Sequence, residues 1–138
     1  MAITRTETQV TWPTAANSVS VAAGGNATSE EVNLDATCVN AQISLKANNN
    51  GAPALDDQIY VWLLQTSGDP DGAVADEFDT TGSPDWFVIL DTNIENPVIK
   101  TVELPLPQKG LKLYAEGATA GTTNAVTVSA TITEQRAA

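Results

Sequence analysis

Histidine is absent from this 138-residue chain, cysteine and methionine occur once each, and six cations stand against seventeen carboxylates. Each shortage narrows what the chain can do. Without histidine there is no Ser-His-Asp or Cys-His catalysis, no imidazole-bound metal, and no ordinary side chain that titrates near neutrality. The lone Cys38 cannot close an internal disulfide. Set among Ala36, Thr37 and Val39, it reads as a small buried hydrophobe, with no histidine to take its proton.

The net charge of −11 leaves too few cations to displace counterions from nucleic acid, and it repels anionic membranes. An acidic surface suits a concentrated or arrayed protein that must stay soluble. No run approaches the roughly 18 to 20 apolar residues of a membrane span. The opening Met1-Ala2-Ile3-Thr4-Arg5-Thr6-Glu7 lacks the apolar stretch of a secretory signal, so synthesis in a cytoplasm is expected.

What is present is a globular composition, 42% hydrophobic and rich in Thr, Val and Ala. A single domain of this length buries about two-thirds of its unfolded surface and needs no disulfide or metal to fold. Residues 1–16 are polar and Thr-rich without a strong period. They are expected to form an extended N-terminal arm, with a short strand at Gln9–Trp12, leading into a β-domain over 17–138.

Beyond the turn at Gly24-Gly25-Asn26, short runs alternate. Val19 and Val21, then Val32 and Leu34, then Ile43, Leu45 and Ala47 interleave with polar residues, and Asn50-Gly51 supplies tight-turn chemistry. Leu111, Leu113 and Ala115 alternate with Lys112, Tyr114 and Glu116. Val126, Val128, Ala130 and Ile132 alternate with Thr127, Ser129, Thr131 and Thr133. A period of two marks strands with one face in a core. Ile59–Leu64, Trp86–Leu90 and Pro97–Leu104 complete a set of about eight. The best helical stretch, Ala73–Phe78, is too short to stand alone. The pattern predicts an all-β antiparallel sandwich, jelly-roll-like on the strand count, with an immunoglobulin-like Greek key as the alternative.

Candidate chemistry is sparse. Gly68-Asp69-Pro70-Asp71-Gly72 resembles a fragment of a calcium loop, with Asp69 and Asp71 as ligands, but the full spacing is missing and a solvated turn explains the same residues. No cofactor is expected. Carboxylate-only hydrolysis would need a deep cleft that a short-stranded sandwich does not offer. Trp12, Trp86 and Tyr114 are the aromatics considered for stacking on a sugar, against an ordinary core or interface role.

Two strands are apolar on both faces. Ile59, Val61 and Leu63 face one way, and Tyr60, Trp62 and Leu64 the other. Trp86, Val88 and Leu90 face one way, and Phe87 and Ile89 the other. A sandwich strand needs one apolar face, so the second requires cover. The N-terminal arm or the 66–84 loop can supply it from within. A second copy of the chain can do so from outside, with Tyr60, Trp62, Leu64, Phe87, Ile89 and Trp12 as the interface.

The order of these features resembles small β-sandwich virion proteins of tailed bacteriophages. The polar arm, the alternating Val32–Ala47 strands, Asn49-Asn50-Gly51-Ala52-Pro53, the Ile59–Leu64 strand and the 66–72 loop carry the likeness. So do Leu90-Asp91-Thr92-Asn93, the Leu104–Leu113 segment and the closing strand from Asn124. Within that group the chain looks most like capsid decoration, or cement, proteins. The resemblance implies a non-enzymatic protein on the outer capsid surface of a virion. It would be a homo-oligomer, most simply a trimer, that bridges and stabilises copies of the major capsid protein. An arm of sixteen residues reaches on the order of 50 Å to a neighbour. The alternative is a receptor- or glycan-recognition module of a tail or head fibre.

Overall fold

The computed structural model describes residues 2–66, 68, 71–72, 75–80, 86–106, 109–119 and 125–137. They form two five-stranded antiparallel sheets. The first contains β1 (Ile3–Gln9), β2 (Val19–Val21), β5 (Cys38–Asn49), β8 (Val98–Glu103) and β10 (Val126–Ala137). The second contains β3 (Asn26–Thr28), β4 (Val32–Asn33), β6 (Gln58–Thr66), β7 (Phe87–Asp91) and β9 (Gly110–Gly117).

β1 and β2 lie successively along one side of β10, and β3 and β4 along one side of β9. Each pair is therefore one interrupted strand position. Eight positions remain, ordered β1/β2–β10–β5–β8 over β3/β4–β9–β6–β7. The chain crosses between sheets at almost every connection, which is the jelly-roll arrangement, and the immunoglobulin-like alternative is set aside.

The alternation read from the sequence maps onto the core. Ile43, Leu45, Ile59, Val61, Leu63, Leu90, Leu111, Leu113, Val128 and Ile132 are fully or almost fully buried between the sheets. The inward face of β10 ends in a charge. Glu134 is buried, accepts a hydrogen bond from the Asp35 amide at 3.0 Å and pairs with Arg136 at 2.9 Å. Beyond the sheets, Asn49, Asp57, Thr92 and Asn96 tie the 50–57 and 92–97 connections together by side-chain hydrogen bonds.

The N-terminal segment departs from expectation. Residues 3–9 are not a free arm; they pair along β10 from Ile3↔Ala137 to Gln9↔Thr131. Their polarity is that of an edge strand with one face in water, and only Thr6 and Thr8 are half-buried. The interruption between β1 and β2 is a single 3-10 turn at Pro13–Ala15, with Thr14 and Ala15 at positive φ. Trp12, expected at an interface, is instead fully buried in the core.

One close approach makes a sharp test of the packing. A Cβ built on Gly117, at the end of β9, would lie 2.3 Å from the Ala22 carbonyl oxygen. The Gly117 amide also donates to Gly25 at 2.9 Å, and Gly24 donates to the Gly117 carbonyl at 3.1 Å. The obstacle is backbone, held from both sides. Gly117→Ala is expected to cost about 1–3 kcal/mol, read as a lower denaturation midpoint at unchanged slope.

Candidate functional site

The strand register assembles residues that are far apart in sequence. On the outer face of the second sheet, Thr28 on β3 stands opposite Tyr114 on β9, Tyr114 opposite Trp62 on β6, and Trp62 opposite Phe87 on β7. The neighbouring row reads Asn26, Glu116, Tyr60 and Ile89. A transverse line of three rings results, with Tyr60 as a fourth one step along.

The rings touch as a group. Trp62 lies 5.1 Å from Phe87, 6.0 Å from Tyr60 and 6.0 Å from Tyr114, centroid to centroid, and Tyr60 lies 5.7 Å from Phe87. Mutual tilts of 32° to 56° leave a dished surface instead of a single plane. It opens as a shallow concavity of about 400 Å³, walled by Asp56, Glu116, Gly117, Ala118 and Thr119 and floored by Tyr60, Trp62 and Phe87.

Polar groups hold the rim. The Tyr60 hydroxyl donates to Gln58 Oε1 at 3.0 Å, and Gln58 Nε2 donates to Asp91 Oδ2 at 3.0 Å. That chain fixes the Tyr60 ring. At the other end Lys112 places its ammonium 4.6 Å from the Phe78 ring centroid. Asp79 caps the end of β6, accepting from the Gln65 amide at 3.2 Å.

Four of the six residues expected at an interface, Tyr60, Trp62, Phe87 and Ile89, share this patch. Leu64 is half-buried further along β6, opposite Lys112. Trp12 does not join, as noted. β1 gives this patch no cover, because it belongs to the opposite sheet. Of the 66–84 loop, the described residues Phe78 and Asp79 reach only the Lys112 and Gln65 end. Phe87 and Ile89 remain 41% and 37% exposed.

Of the three aromatics considered for sugar stacking, only Tyr114 lies here. Trp86 packs against the core from its margin and donates its indole N–H to the Glu103 carbonyl at 2.9 Å. Asp56 and Glu116 were not expected. Glu116 follows the same outward alternation as Tyr114, but only the register shows that it stands beside Tyr60. Asp56 arrives from the turn before β6 at a positive φ of 68°.

The remaining candidates lie elsewhere. Asp71 is exposed, and Asp69 and part of the Ala73–Phe78 stretch fall outside the described residues. Among the described residues, no three His, Cys, Asp or Glu side chains gather to hold a metal. Among them too, no helix is long and apolar enough to cross a membrane. Burial pushes the Cys38 thiol above its ordinary range, and the Glu134 charge adds to the effect. The thiol donates to the Asn40 carbonyl at 3.3 Å and stays protonated.

No family model and no curated protein matches the chain. Solved structures with a related strand arrangement include the CBM22-1 xylan-binding domain from Paenibacillus barcinonensis Xyn10C. It is 14% identical at a TM-score of 0.45, over 99% of this chain and 86% of that one. A protein of the disulfide-linked pili of Bacillus endospore appendages is 11% identical at a TM-score of 0.44, over 98% and 89%. A CBM4 chain is 18% identical at a TM-score of 0.45. There the match covers 80% of this chain and spans 64% of the other. Identities this low, at TM-scores below 0.5, transfer no function to the chain.

Proposed function

We propose that the chain is a glycan-recognition module whose ligand lies along the Tyr114–Trp62–Phe87 row. The observation that carries this reading is the aromatic cluster itself. Four rings form one contact cluster and three of them, Tyr60, Trp62 and Phe87, floor an open concavity of about 400 Å³, while the space between the sheets is filled by the core. Flat rings offer large rigid contact area at little entropic cost, and they stack on the C–H faces of sugar rings. The flanking groups that can bond hydroxyls, Gln58, Glu116, Asp56 and Thr119, come from strand ends and turns. A shallow, preformed surface with few polar groups suits recognition of an extended chain.

The test is retention of the wild-type protein on a panel of immobilised polysaccharides, by affinity electrophoresis. Retardation on at least one polymer, reversed by its free oligosaccharide, is expected. Unretarded migration on the whole panel would remove the reading.

A second reading has its own support. Phe87 and Ile89 carry the apolar surface out to the edge strand β7, and aromatic surfaces of this kind also bury against protein. In that reading the face meets further copies of the chain, as a trimer, or the major capsid protein of a virion that it decorates. Light scattering on wild type and Trp62→Glu separates the two. Oligomers that dissolve in the variant favour assembly. A monomeric wild type that does not bind shells counts against it.

A further inference from the structure

We infer that the glycan taken by this face is cationic, a glucosamine polymer with free amines; the inference rests on the glycan-recognition reading and deepens it. The wall of the concavity supplies the reason. Its two ionisable groups, Asp56 and Glu116, are both carboxylates, and among the described residues no cation lines it. Among those residues neither carboxylate is hydrogen-bonded or ion-paired. Asp91, beside Gln58, adds a third negative charge along the same margin.

The nearest cation on this face is Lys112. It lies on the far side of Tyr114 from Glu116 along β9, where it sits over Phe78. The concavity is therefore negative at one end of an aromatic floor. An ammonium group there gains twice, from the carboxylates and from the negative faces of Tyr60, Trp62 and Phe87. A uronate or sulfated sugar meets repulsion from the same groups. The overall charge of −11 draws a polycation toward the protein at long range, and the rim decides where it settles.

The experiment is calorimetry with four hexasaccharides, of glucosamine, N-acetylglucosamine, glucose and galacturonate. Mildly acidic buffer keeps the glucosamine amines protonated. The glucosamine oligomer is expected to bind about tenfold tighter than its N-acetylated counterpart, and galacturonate weakest. Glu116→Gln and Asp56→Asn are each expected to lower glucosamine affinity about 3- to 5-fold and to lower that of the N-acetylated oligomer clearly less. Asparagine tolerates the positive φ of position 56, so that variant keeps its turn.

Glu103→Gln, an exposed carboxylate on β8 of the opposite sheet, is the control and should change nothing. Equal affinity for the amine and the amide, or an equal loss from Glu103→Gln, overturns the charge selection while leaving a glycan site in place. No binding by any of the four, with no retention on polysaccharide either, overturns both readings. Circular dichroism and melting of each variant identify a loss that comes from unfolding.

Discussion

Trp62→Ala is expected to abolish glycan binding, with an affinity loss of about 100-fold or more, while the protein stays folded. Trp62 is the hub of the cluster, in contact with Tyr60, Phe87 and Tyr114, and it floors the concavity. Removing it takes away the largest stacking surface and leaves the other rings without their common neighbour. Central aromatic residues of binding faces typically cost 2 kcal/mol or more on truncation, and about 2.7 kcal/mol corresponds to 100-fold. The cost to stability is smaller, about 1–2 kcal/mol, because the side chain points outward and is half-buried. Trp62→Phe keeps a ring and should retain much of the affinity. Titration calorimetry beside a melting curve for each variant gives both quantities. An unchanged affinity in Trp62→Ala would place the ligand elsewhere.

The second large effect concerns stability. Trp12→Ala is expected to cost about 3–5 kcal/mol, enough to unfold much of a domain of ordinary stability. Its side chain is wholly inaccessible and packs within the core cluster. Its backbone closes the turn before β2, donating to the Ala16 carbonyl at 2.8 Å and accepting from the Ala16 amide at 3.2 Å. Among the described residues the indole Nε1 has no acceptor. Trp12→Phe therefore gives up no internal hydrogen bond and should cost under about 2 kcal/mol, chiefly for lost volume. Urea denaturation of the two variants separates packing from polarity. Equal losses would mean that the indole N–H contributes after all.

The ten strands were unequally legible, for reasons that can be named. β5, β9 and β10 each place buried aliphatics at every second residue against polar neighbours, and that alternation is written plainly in the chain. β1 has the sequence of an arm because an edge strand buries little, and Thr4, Thr6 and Thr8 give no apolar period to detect. The jelly-roll order rests on which strands become neighbours, and local pattern holds no record of that. The site divides in the same way. Tyr60, Trp62, Phe87 and Ile89 stood out because β6 and β7 are apolar on both faces. Tyr114 joined them only through its pairing with Trp62, and Glu116 only through its pairing with Tyr60. Asp56 lies in a turn, where polar residues are common for conformational reasons and a functional one has no distinguishing mark.

The pairing of the first strand with the last governs how the molecule comes to fold. β10 is an interior strand, with β1 and β2 on one side and β5 on the other. Until it is synthesised, the first sheet exists as two separated halves, and the buried faces of β5 and β2 have no common support. Nascent chains therefore expose apolar surface until β10 has been made, the stage at which chaperones or aggregation compete most strongly. Closure across nearly the full length of the chain also makes the average contact long-range. Refolding on the millisecond-to-second scale is expected, far slower than for a helical protein of the same size.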